Sequence, residues 1–317
     1  MPKNIPVTVF VLTYNRCEMA RSCLRDLEAL AYTPLEIMVV DNCSNDDTAI
    51  TVPQKHPKVT YLRTAENLGA AARNLAFTRG SGDVVITLDD DVRGITDQHI
   101  RAILEIFEDR PRVGAINFKL VHGQTGQLCN WVHHRKAEDF HDKEFLTYEI
   151  TEGAVAFRRT AAVIAGGYPD NFFLSHEGPA LAFRLMDAGY DVLYSPQIQV
   201  QHFFGREGRT PWRNYYYDTR NQLWLAAQFF PFGYACRYLG KGLLSMLVYA
   251  LRDWHFGAWF LGVRDGILGL PEATKKRTRL GRDAMRRIRT LDAERPSILY
   301  MIRARLFGRG ANLEGCG

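Results

Sequence analysis

The chain has 317 residues, 46% hydrophobic and 24% charged, a balance ordinary for a soluble globular protein with one large core or two modest ones. Its six cysteines are scattered without a CxxC pair, which argues against a zinc site or a disulfide framework. The net charge of +5 is uneven: residues 1–200 carry 20 Lys/Arg against 26 Asp/Glu, whereas residues 201–317 carry 20 against nine, so the second part is expected to face something anionic.

In chain order, Val7–Leu12 reads as a strand, and Ala20, Leu24, Leu27 and Ala31 then recur at helical spacing. Glu36–Val40 is a second strand ending at Asp41, followed by a polar segment and a short helix. Val59–Arg63 is a third strand, Ala70–Thr78 a helix and Val84–Leu88 a fourth strand. A helix over 97–109 and a strand at Val113–Phe118 complete a pattern that predicts a mostly parallel sheet covered on both faces. Residues 119–150 show no clean period, and His133-His134, without a partner at metal-ligand spacing, read as surface or loop histidines. Strand signals return at Gly153–Arg158 and Asp191–Ser195, around a helix at 178–188.

Past residue 210 the chain turns to apolar helices with aromatics and arginine, giving an expected division into 1–210 and a basic helical region 211–317. Leu243–Leu251 and Trp254–Val263 are each too short to span a bilayer. They read either as a hairpin on a membrane surface or as a buried hairpin of the soluble core. Eight Lys/Arg and one acid in Lys275–Arg289 favour anionic lipid. No nucleic-acid-binding signature occurs.

Asp89-Asp90-Asp91 follow the fourth strand directly. Read alone, the triplet is either a solvated turn before a helix capped by Thr96 or Asp97, or a site whose crowded acids hold magnesium or manganese. Three other strand ends carry Thr13-Tyr14-Asn15-Arg16, Asp41-Asn42 with Ser44 and Asp46, and Asn67-Leu68-Gly69 with Arg73-Asn74. A parallel sheet gathers all four along one edge, where acids, amides and arginine suit a nucleotide diphosphate with a metal.

LTYNR, VVDNCSNDD, ENLGAAARN and TLDDDV, in this order, resemble the nucleotide-binding half of the family 2 glycosyltransferases, which have a GT-A fold. GGYPDNFFLSHEGPALAFRLMDAGYDVLYSP, VQHF and YYYDTRN extend the resemblance over about 5–225. It implies an α/β GT-A fold, a Rossmann-like and mostly parallel sheet with helices on both faces, plus a C-terminal helical region. It implies a UDP-, dTDP- or GDP-sugar donor, Mn²⁺ or Mg²⁺, and an acceptor hydroxyl on a lipid-linked, cell-surface or secondary-metabolite glycan. By position, Thr13 and Asn15, with Arg16 and Asn67, would line the nucleotide pocket. Asp41 would accept from the base, and Arg73 would contact the ribose or diphosphate side. Asp89 would lie toward the ribose, Asp91 on the metal (Asp89 being a further candidate ligand), and His202 near the metal or diphosphate. Strand alternation would turn Asp90 away.

Inversion at the anomeric centre requires a general base. Relatives commonly carry Glu-Asp, with the aspartate as base; here His176-Glu177-Gly178 leaves glycine at that position. Glu177 is then the expected base, with His176 and Asp170 as alternatives. Arg206 and Arg209, flanked by Gly205 and Gly208, would close over the diphosphate or belong to a plain surface loop; Arg184 reads as structural. A sugar nucleotidyltransferase, or a catalytically silent nucleotide-sugar-binding or membrane scaffold protein, are the competing readings. The start of the chain lacks a charged-then-apolar leader, so the expected setting is cytoplasmic, peripheral on the inner face of the cell membrane.

Overall fold

Apolar β-branched runs separated by amphipathic helices form a nine-stranded sheet in the computed structural model, which describes residues 5–203, 210–297 and 300. The first half runs β1 (Val7–Thr13), α1 (Cys17–Glu28), β2 (Leu35–Asp41), α2 (Thr48–Lys55), β3 (Thr60–Arg63), a 3₁₀ turn (Gly69–Arg73), α3 (Asn74–Arg79) and β4 (Val84–Asp89). Then follow β5 (Val92–Arg93), α4 (Asp97–Asp109), β6 (Val113–His122), α5 (Ala137–Phe140), β7 (Phe145–Thr147), β8 (Ala154–Arg158), α6 (Arg159–Ile164), α7 (Glu177–Asp187) and β9 (Asp191–His202). The rest is helical: α8 (Trp212–Phe229), α9 (Phe232–Arg252), α10 (Phe256–Leu268), α11 (Leu270–Lys275) and α12 (Arg282–Ala293).

The strand order is β3-β2-β1-β4-β8-β6-β9-β5, with β7 also on β9. Strands β3, β2, β1 and β4 run parallel, so their carboxyl ends share one edge. Strand β8 inserts antiparallel between β4 and β6. That insertion is not visible in the local pattern, and it carries the residues just before β8 to the carboxyl end of β4. Strand β9 extends seven residues past the expected Ser195, to His202, by pairing along β6.

Both faces of the sheet are buried, which is why its strands read as continuous apolar runs. One face packs Val9, Val39 and Ile86 against Leu24 and Leu27 of α1 and Ile103 and Phe107 of α4. The other packs Phe10, Met38 and Val85 in a core shared with Phe183 of α7, Phe229 of α8 and Met285 and Ile288 of α12. Parts of the C-terminal helical region thus complete the α/β core. Helices α9 and α10 form the expected hairpin and lie against α8. Their outer surface leaves Trp254, Phe256, Phe260, Leu244 and Leu251 exposed. Among the described residues no helix is long and apolar enough to cross a membrane.

Candidate active site at the carboxyl edge of the sheet

Strand β4 ends at Asp89, and Asp90 and Asp91 form a turn, so strand alternation does not extend through the triplet. Asp90 therefore does not turn away as expected. It is buried and accepts from Thr13 Oγ1 at 2.7 Å and from the Arg16 guanidinium at 3.1 Å. Arg16 also reaches Asp91 Oδ2 at 2.9 Å. Burial, opposed by Arg16 and reinforced by Asp91, pushes the Asp90 carboxyl up to about 7. The other expected ending holds further on: Thr96, not Asp97, caps α4, accepting from the His99 amide.

The two-residue strand β5 pairs Val92 with His202 and so fixes the end of β9 beside the triplet. His202 Nε2 lies 3.1 Å from Asp91 Oδ1, and Phe203 N donates to the Asp91 carbonyl. Asn130, from the stretch without period, places its amide 2.9 Å from His202 Nδ1. This contact orients the ring so that Nε2 faces Asp91. Among the described residues no three His, Cys, Asp or Glu side chains assemble into a metal cage. A carboxylate and an imidazole converging at one point nonetheless fit Mg²⁺ or Mn²⁺ that completes its coordination with substrate phosphates.

The remaining candidates fall into three groups. Asn15, at φ +54°, ties two loops together: its amide donates to Ser44 Oγ, and its Oδ1 accepts from Asn45 N. Asp41 is fully buried, accepting from Ser44 N and the Tyr61 hydroxyl at 2.7 Å each, with Arg63 3.5 Å away. Asn67 accepts from Asn42 and from Gly69 N, shaping the turn that leads to Arg73. Gly69 has φ +59°, and a Cβ there would meet the Phe173 carbonyl at 2.2 Å, so only glycine allows the two loops this contact. Arg206 and Arg209 lie outside the described residues.

Arg73 is buried and ion-pairs with Asp89. Burial disfavours its charge, but Asp89, with Glu152 and Glu177 nearby, holds the guanidinium above its ordinary pKa. Glu177 begins α7 at 4% exposure, and its Oε2 is buried without a hydrogen bond. Glu152, which the sequence does not single out, stands beside it. Burial pushes both carboxyls upward; the charge of Glu177 adds to the rise at Glu152, while Arg73 opposes it at both. His176, at φ +65°, directs Nε2 toward Asp218 of α8 at 3.4 Å. Burial opposes its charged form, yet Asp218 raises its pKa. Asp170 is largely exposed and pairs with Lys276 at 3.6 Å.

Helix α8 holds the loop before α7. Asn221 Nδ2 donates to the carbonyls of Phe172, Leu174 and Ser175 at 2.9, 2.6 and 2.8 Å, and Arg220 donates to the Phe172 carbonyl at 2.8 Å. Phe173, Ser175 and His176 all have positive φ, a conformation that costs non-glycine residues energy and persists where surroundings impose it.

The sequence pattern of glycosyl transferase family 2 matches residues 8–165, from β1 through α6. The chain belongs to that family. It is 23% identical over 198 residues to the O-antigen chain rhamnosyltransferase WbaN of Salmonella anatum, covering 59% of this chain and 62% of that protein. It is 24% identical over 241 residues to the N-acetylglucosaminyl-diphospho-decaprenol L-rhamnosyltransferase of Mycobacterium tuberculosis, covering 64% and 78%. In fold it resembles the mannosyltransferase PcManGT from Pyrobaculum calidifontis, solved with GDP-Man and Mn²⁺: the TM-score is 0.55 at 18% identity, over 97% of this chain and 89% of that one. The GT-A fold expected from the motifs is the one observed.

Proposed function

We propose that this glycosyltransferase moves a sugar, with inversion, from a UDP-, dTDP- or GDP-sugar to a hydroxyl of a glycan or lipid-linked acceptor. The observation carrying this reading is the convergence of Arg16, Asp91 and His202 where β1, β4 and β9 end. Cationic and metal-binding groups at that edge suit a diphosphate leaving group. Relatives named for rhamnosyl transfer, one with a lipid diphosphate acceptor, support the substrate class.

In this reading Thr13, Asn15, Asn67 and Asp41 shape the nucleotide side, and Arg73 with Asp89 the ribose side. Asp91 and His202, with Asp89 as a further candidate, would hold Mn²⁺ or Mg²⁺, and the bound ion supplies charge that stabilises the departing diphosphate. Arg16 adds positive charge at the same edge. The acceptor proton goes to a carboxylate in the corner beside the N-terminus of α7, where Glu177 and Glu152 stand. The α9–α10 hairpin offers Trp254, 93% exposed, with Phe256 and Phe260, and the basic stretch Lys275–Arg289 follows it in the chain, a combination suited to an anionic membrane surface.

A thermal-shift screen of UDP-, dTDP- and GDP-sugars with Mn²⁺ should single out one nucleotide, and that sugar should then turn over. Asp91→Ala should abolish the Mn²⁺-dependent part of the shift; an unchanged shift would remove Asp91 from the metal site. Flotation with phosphatidylglycerol vesicles should weaken in Trp254→Asp with Phe260→Asp, and equal flotation would refute the membrane surface.

A further inference from the structure

Glu152 enters the site by a route that only the sheet topology creates. Strand β8 runs antiparallel to β4, pairing Leu88 with Ala154, and Asp89 N donates to the Gly153 carbonyl at 3.2 Å. Glu152 is thereby delivered to the carboxyl end of β4, next to the aspartate triplet. Its side chain then crosses to α7. A Cβ built on Gly178 would fall 2.3 Å from Glu152 Oε1 and 2.6 Å from the Ile150 carbonyl. The segment before β8 is closed tightly over that glycine, and the volume a side chain at 178 would fill is occupied by the Glu152 carboxylate. The position that lacks an acid in the sequence is supplied with one from the segment that leads into β8.

The two neighbouring acids differ in residue exposure. A base has to come within hydrogen-bond reach of the proton it removes, so it needs surface in the cleft. Glu177 is 4% exposed, whereas Glu152 keeps part of its surface open. Around them the buried Arg73 Nε and the Tyr168 hydroxyl lack hydrogen-bond partners, so the polar groups of this corner are not used up by one another. The first turn of α7 faces the Glu152 carboxylate, and a helix N-terminus favours negative charge there.

We propose that Glu152 is the catalytic base of this enzyme, with Glu177 a positioning residue behind it. The inference rests on the glycosyl-transfer reading given above. As the acceptor oxygen forms its bond to the anomeric carbon, its proton passes to the Glu152 carboxylate. The bond from that carbon to the donor diphosphate breaks, and its electron pair leaves with the diphosphate.

The test uses the nucleotide sugar that the parent enzyme turns over. Glu152→Gln keeps the shape of the side chain and removes the charged base. It should lower kcat by about 10²–10⁴-fold, the usual contribution of a general base. The donor KM and the Mn²⁺-dependent nucleotide thermal shift should stay at parent values. Glu152→Asp should recover part of the lost turnover, and Glu177→Gln should lose less than about tenfold on the same scale. Turnover of Glu152→Gln within a few-fold of the parent would overturn the assignment, as would a larger kcat loss in Glu177→Gln than in Glu152→Gln. If the parent turns over no nucleotide sugar, the transfer reading itself falls, and the assignment of Glu152 with it.

Discussion

Replacing Asn221 by alanine removes the clamp on the loop that leads into α7. The carbonyls of Leu174 and Ser175 lose their donor together, that of Phe172 keeps Arg220, and Asn221 is fully buried. A hydrogen bond contributes about 0.5–1.5 kcal/mol net, so the two lost N–H donors come to roughly 2 kcal/mol. Unfolding entropy of about 2.1 cal/mol/K per residue gives roughly 0.67 kcal/mol/K for a chain of this length, so the midpoint should fall by about 3 °C. Differential scanning calorimetry reads that shift directly. Asn221→Asp should be at least as damaging, because it turns a carboxylate toward three carbonyl oxygens. Turnover should fall in both variants, since the released residues Ser175 and His176 set the start of α7 and hence the place of Glu177. An Asn221→Ala midpoint within about 1 °C of the parent would refute the clamp.

Three further outcomes follow from the same geometry. Gly178→Ala should cost about 1–3 kcal/mol through overpacking against Glu152 and the Ile150 carbonyl, read by urea unfolding. Gly240→Ala, in the exposed middle of α9 with open space where its Cβ goes, should instead stabilise by about 0.5–1 kcal/mol on the same measurement. His176, facing Asp218, Glu149 and Glu177, has its pKa raised in the folded state. The pairing therefore stabilises most below the ordinary histidine pKa and fades as pH rises through the folded value. Unfolding free energies of the parent and Asp218→Asn, compared from pH 5.5 to 8.5, should differ most at the acid end; a gap that widens with pH would contradict the pairing.

Strand and helix periodicity placed β1 to β4 and α7, because residues buried on both faces of a sheet must be apolar throughout. The ordered strand-end motifs in turn indicated the family, the fold and one edge of the site. Three matters lay outside local pattern. Asp90 joins Thr13 and Arg16 because the strand stops at Asp89, and where a strand stops is decided by its neighbours. Residues 119–150 have no period because they cross the site as loop and short strands, and Asn130 meets His202 through pairing distant in sequence. Glu152 was invisible for the same reason: a glutamate before Gly153-Ala154 reads as the polar start of a strand. Composition and motif order belong to the sequence itself, since each depends on residues that are near one another in the chain. Which carboxylate fills the space at Gly178 was decided by the antiparallel insertion of β8, a long-range hydrogen-bonding arrangement that no local spacing encodes.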